Sequence, residues 1–197
     1  TIFKEKDKVD LLKNQLDQIS KSKSSIIQKI FYIVKLTKNF GTSPFSGLAR
    51  CAFISQRILL DLKNLKLISD QEFDNFFKSL NSLTHQFNND IYNLKKKNIT
   101  KKNFLRKYGH LRPSTYDINN LNYSEGFNKY FSNKNKNSKK FYKKKKFIKF
   151  KNAKKIDLLF KKNLNIDLKT FLNFASNSIV LREKSKLDFT RGIIFAS

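Results

Sequence analysis

The chain has 197 residues, with 42 Lys plus Arg against 15 Asp plus Glu, a net charge of +27, one Cys, five Gly, two Pro and neither Met nor Trp. A hydrophobic share of 39% that includes 20 Phe can supply a core and excludes a wholly disordered chain. The single Cys51 excludes an internal disulfide framework and a Cys-rich zinc module, and fits a reducing, cytoplasmic compartment. No apolar run approaches the roughly 20 residues of a membrane span, and Lys and Asp interrupt the start of the chain before a signal-peptide core could form.

In chain order, Asp7 to Ser20 carries Val9, Leu12, Leu16 and Ile19 at helical spacing, and Ser24 to Asn39 repeats the pattern through Ile26, Ile27, Ile30, Val34 and Leu36. Gly41-Thr42-Ser43-Pro44 is then expected to break the chain, with Ser43 as cap and Pro44 at the first position of a third helix reaching about Lys63. On that helix Arg50, Arg57 and Asp61 share one side. Ser69-Asp70-Gln71-Glu72 is a capping box. From Phe73 through Phe76, Phe77, Leu80, Leu83, Phe87 and Ile91 to Leu94, spacings of three and four predict one helix ending near Lys96. A short helix over Thr100 to Lys107 should stop at Tyr108-Gly109, with an extended segment up to Pro113. Ser114 to Tyr130 shows no clear period.

Asn133 to Lys155 holds twelve Lys and no acid, interleaved with Phe141, Tyr142, Phe147, Ile148 and Phe150. Such a tract is expected to be a solvated, flexible insertion; the alternative is a grip on single-stranded nucleic acid by charge and stacking. The overall charge has the same two readings. Of the basic residues 36 are Lys, accompanied by 22 Asn, as an A/T-rich coding sequence would give without any partner. The six Arg are therefore the more informative cations, because only a planar bidentate donor grips a carboxylate or phosphate with fixed geometry. A last helix starts near Asp167 and passes Phe189. Arg182 and Lys186 continue its apolar stripe, where a cation needs an anionic partner.

Phosphate-cradling glycine loops, paired-Cys motifs and a helical His-Glu-x-x-His are all absent from the sequence. Cys51 reads as a small core residue and His85 as a surface histidine. His110 differs, since Tyr108, Gly109, His110, Arg112, Pro113, Tyr116 and Asp117 fall within ten residues. This cluster is either a binding loop pinned by Gly and Pro or a structural knot in which Asp117 pairs with Arg112.

Three blocks carry a resemblance: Gly41-Thr42-Ser43-Pro44-Phe45-Ser46-Gly47-Leu48-Ala49-Arg50, then Lys107-Tyr108-Gly109-His110-Leu111-Arg112-Pro113-Ser114-Thr115-Tyr116-Asp117-Ile118, then Arg182-Glu183-Lys184-Ser185-Lys186-Leu187-Asp188-Phe189-Thr190. Together they resemble the helical region of phosphoenolpyruvate synthase-like proteins, the broad family of pyruvate phosphate dikinases and rifampin phosphotransferases. The likeness covers about residues 24 to 130 and 166 to 191, and Ser114 stands where the family pattern has glycine. It implies a parent enzyme in which an ATP-grasp domain uses ATP and Mg, and a phosphohistidine domain carries the phosphoryl group to pyruvate or another small-molecule acceptor. Neither domain's motif is present, so His110 is not the phosphorylated histidine. The chain, which has no Met, would be the central part, without a cofactor or catalytic residue of its own. Arg50, His110, Arg112 and Arg182 would then bind an anionic substrate, supported by Tyr108, Asp117 and Lys186.

The expected fold is all-α, a single irregular domain of about five or six helices over 1–197 with a Lys-rich insertion at 133–155. The rival reading is a basic helical nucleic-acid-binding protein using the Lys134 to Lys155 tract. A helical scaffold without a ligand is the third.

Overall fold

The computed structural model describes residues 2–113, 119–131 and 149–196, and among these every regular element is a helix. The expected all-α fold is what the chain adopts. The elements are α1 (Ile2–Lys21), α2 (Ile26–Leu36), a π-helical turn (Thr37–Thr42), α3 (Ser43–Asn64), α4 (Asp70–Ser79), α5 (Leu83–Lys95), α6 (Lys101–Tyr108), α7 (Phe127–Phe131), α8 (Ala153–Leu164) and α9 (Leu168–Ala196).

Helix starts follow side-chain chemistry. Ser25 and Gln28 cap α2 reciprocally, and Ser69 and Glu72 do the same for α4. Ser82 accepts from the His85 N–H at the start of α5, and Thr100 accepts from the Asn103 N–H at the start of α6. The stripe from Phe73 to Leu94 is therefore two helices. Leu80 turns to an extended conformation, and Ser82 restarts the helix in a new direction with the apolar period almost unbroken.

Gly41 to Pro44 also departs from expectation, because no break occurs there. Ser43 keeps helical dihedrals and makes no side-chain cap, and the chain runs without interruption from α2 into α3. Proline inside an α-helix removes one backbone donor and clashes with the carbonyl four residues earlier. The wider turn accommodates both effects, with the Ser43 N–H reaching back five residues to Lys38 O and the Thr42 hydroxyl to Thr37 O.

The long helix α9 forms the axis. Its first half packs with α3, α4 and α8 around Leu59, Leu62, Phe76, Ile156, Phe160 and Phe171, and the buried Phe150 joins this core. The end of the Lys-rich tract is thus packed structure: Phe150 is 2% exposed and Ala153 begins α8. Residues 133–148 lie outside the described residues. Farther along α9 the seam changes from apolar to small and polar. Ser178 and Ser55 of α3 face each other at 3.2 Å in the interior, each also bonded to a carbonyl of its own helix. Val9 and Leu48 pack with Cys51, Phe174 and Leu181, and Leu12, Leu16 and Ile33 close the α1–α2 side. The half-buried Cys51 thus sits in a core cluster.

Candidate functional site

The Tyr108 to Arg112 segment is held by its surroundings on every side. The fully buried Tyr108 ring packs edge-on to Phe87, with centroids 4.9 Å apart, and touches Phe104. Its hydroxyl donates to Asp90 Oδ2 at 2.7 Å, and the neighbouring Lys107 Nζ donates to the same oxygen at 2.8 Å. Burial first, and then Asp90, push the Tyr108 phenol well above its usual pKa. Gly109 cannot be replaced, because a Cβ there would lie 2.2 Å from Ser124 Oγ and 2.5 Å from Leu105 O. The following loop is pinned to residues 121–126, with Ser124 N–H donating to Gly109 O and Tyr123 N–H to Leu111 O.

His110 turns away from this aromatic cluster toward α9. Its Nε2 lies 3.2 Å from the carbonyl oxygen of Leu187. A carbonyl only accepts, so Nε2 carries the proton and Nδ1 is left as an acceptor. Burial, reinforced by the charge of Arg191 and only partly opposed by the Leu187 carbonyl, lowers the His110 pKa to about 4. At neutral pH the imidazole is uncharged. This suits a hydrogen-bonding role and rules out a standing cation at this position.

The four residues expected to bind substrate are spread over α3, α9 and the loop after α6. Arg50 is exposed on α3. Arg182 lies on the α3-facing side of α9, with its guanidinium 4.7 Å from the ring centre of Phe53, one turn beyond Arg50. An aromatic face thus accompanies this cation, for which an anionic partner was expected. His110 reaches Leu187, which at about 100° per residue is rotated by about 140° around α9 from Arg182. Arg112 is half-buried in the loop after His110, and Lys186 is half-buried on α9. Asp117 and Tyr116 lie outside the described residues. His85, expected at the surface, is half-buried on α5.

The three family-like blocks nevertheless meet at one place. Phe45 stacks on Phe189 with the ring planes 5° apart, and a Cβ on Gly41 would lie 3.1 Å from the same ring. His110 contacts Leu187, two residues earlier. On α9 just beyond, a Cβ at Gly192 would come within 2.4 Å of Thr37 Oγ1, at the start of the π-helical turn. Segments separated by up to about 150 positions in the sequence thus converge on residues 187–192 of α9.

Beside this convergence lies a cleft of about 730 Å³, lined among others by Asp17 of α1, Asp90 of α5, Arg106 and Lys107 of α6, and Arg191 of α9. None of Arg50, His110, Arg112 or Arg182 is in its wall. The sequence reading missed Asp90 and Arg191. Asp90 left a signal, since a carboxylate three residues after Phe87 and four before Leu94 sits on the half-buried side of its helix in an acid-poor chain.

Among the described residues no three His, Cys, Asp or Glu come together to hold a metal ion. No helix of the described residues is long and apolar enough to cross a membrane. No protein-family model, curated protein or solved structure matches the chain.

Proposed function

We propose that this chain is the central helical part of a phosphoenolpyruvate synthase-like phosphotransferase, which moves a phosphoryl group from ATP through phosphohistidine to pyruvate or another small acceptor. The observation that carries the reading is the meeting of the three family-like blocks on residues 187–192 of α9. A shared structural element would bring these blocks together, and their meeting supports the reading. In this role the chain supplies shape and hydrogen-bonding groups, and the ATP-grasp and phosphohistidine domains of the parent chain supply the chemistry. The surface of α2 supports a place inside a larger enzyme. Ile26, Ile27, Phe31 and Val34 are each more than half exposed, while Ile33 on the same helix is buried. A helix apolar on both sides is normally covered on both.

The test is the intact gene product. Full-length protein incubated with ATP labelled on the β-phosphate should acquire an acid-labile, base-stable phosphohistidine, and an added acceptor should discharge it. A full-length chain without an ATP-grasp domain, or one that never becomes phosphorylated, refutes the proposal.

A further inference from the structure

We infer that the cleft between α1, α5, α6 and α9 is a binding site for a small anion bearing phosphate or carboxylate, gripped by Arg106 and Arg191. The charges in the cleft are unevenly committed. Asp90 is occupied, since its Oδ2 takes both the Tyr108 hydroxyl and the Lys107 ammonium. Those groups form a closed, neutral pair with a buried phenol behind it. Arg106 and Arg191 have no ion pair among the described residues. Two guanidiniums lining one cleft from different helices offer up to four N–H donors in the paired geometry that matches the oxygens of a phosphate or carboxylate.

The neighbours define the rest of the ligand. Asp17 faces the same space from α1, and a carboxylate there repels a bare polyanion while accepting from a hydroxyl or an amine. The cleft floor includes the buried Phe104 ring. His110 completes the surroundings: its imidazole is neutral, so Arg191 faces no second fixed positive charge from that side. The ligand class is thus a small molecule with one anionic group and at least one hydroxyl or amino group. At about 730 Å³ the cleft is within the usual range of ligand sites. Such an occupant deepens the phosphotransferase reading, on which it rests only for the suggestion that the anion is the acceptor or its phosphorylated product.

A chain of +27 binds anions weakly everywhere, so the test must separate a built site from general charge. The full chain is titrated calorimetrically with glycerol 3-phosphate and, in a parallel arm, with glycerate, each an anion that carries hydroxyl groups, at about 0.15 M salt. Saturable binding of either probe is expected, and the stronger of the two identifies phosphate or carboxylate as the preferred group. In R106Q and in R191Q the affinity for that probe should fall about tenfold or more, as expected when one bidentate contact of about 1.4 kcal/mol or more is lost. The double variant K154Q/K155Q, which removes two exposed charges on α8, should stay within about twofold of the parent. Equal losses in the Lys and Arg variants, or no saturable binding in either arm, overturn the inference. R106Q changes an exposed side chain and remains informative if R191Q does not fold. A chain that binds the probe while the full-length protein fails to form phosphohistidine would keep the site and discard the phosphotransferase reading.

Discussion

Removing the carboxylate of Asp90 should unfold more than its own neighbourhood, because one oxygen serves two donors on the most constrained segment of the chain. In D90A the Tyr108 hydroxyl stays fully buried with its partner gone, and an orphaned buried hydroxyl costs about 1–3 kcal/mol. The Lys107 contact adds little, since its side chain is 43% exposed and such pairs contribute about 0–1 kcal/mol. A loss near 2–3 kcal/mol follows, equivalent to about 4–12 °C in melting temperature for a chain of this size. Y108F removes the donor and leaves Asp90 its Lys107 partner, so its cost should be smaller, about 1–2 kcal/mol. In the double variant D90A/Y108F the orphan disappears, and the coupling energy should be about 1–2 kcal/mol. Urea unfolding followed by circular dichroism measures all four species. The phenol also gives a pH signature. Its folded pKa lies above the unfolded value of 10.0, so its contribution is complete below that pH and is lost as pH rises beyond it; Y108F should flatten the alkaline fall. Additive single losses, with coupling below about 0.3 kcal/mol, would show that the Asp90–Tyr108 bond is not what holds the loop.

Three further outcomes are expected. His110 has a folded pKa near 4 against an ordinary value of 6.5, so the unfolded chain takes up a proton first and stability should fall as pH drops from about 6.5 toward 4; H110Q should remove up to about 3 kcal/mol of that dependence in urea midpoints, and an unchanged profile would refute the buried neutral imidazole. G192A should cost about 1–3 kcal/mol, because its Cβ would overlap Thr37 Oγ1, and T37A in the same chain should recover part of the loss; thermal melts without recovery would disprove the close approach. I27K together with F31K should raise solubility with less than about 0.5 kcal/mol change in stability, since both side chains are more than half exposed. A large destabilisation in urea titrations would place that face inside the fold.

What could be read from the sequence was what short-range chemistry decides. The capping box at Ser69, the short helix beginning about Thr100, its stop after Tyr108 and the long last helix follow from hydrogen bonds within four residues or from an unbroken apolar period. The failures have a common cause in tertiary contact. Ser43-Pro44 has the composition of a helix start, but packing of Gly41 against Phe189 and Leu12 keeps the segment helical, and a π turn absorbs the proline. The stripe after Phe73 keeps its period across Leu80, so only the structure shows that Ser82 opens a second helix. Helix α8 was obscured because its Lys residues resemble the tract before it, while Ile156 and Phe160 supply a narrow buried stripe. At the site, the Tyr108 cluster was visible as a motif. The partners of Tyr108 and His110 left no signal within that motif, because Asp90 comes from the preceding helix and Leu187 from α9.

The distribution of carboxylates gives the excess charge a structural meaning. With so few acids available, several bind backbone N–H groups, often between elements. Glu72 accepts from Ser69 and from Lys151 near the end of the Lys-rich tract. Asp157 of α8 accepts from Leu168 at the start of α9, and Glu183 of α9 accepts from Thr84 in the first turn of α5. Each places a negative charge at a helix start, where free N–H groups and the helix dipole favour it. A carboxylate fixed at a helix start keeps its charge there and cannot also reach a guanidinium elsewhere on the fold. The surface Lys can remain solvated at little cost, being strongly hydrated point charges. The exposed Arg106 and the half-buried Arg191 line one recess, and the acids beside them among the described residues are Asp17 and the already paired Asp90. Shortage of acid thus turns a general property of the sequence into a local one at this cleft, where Arg106 and Arg191 have no ion pair among the described residues.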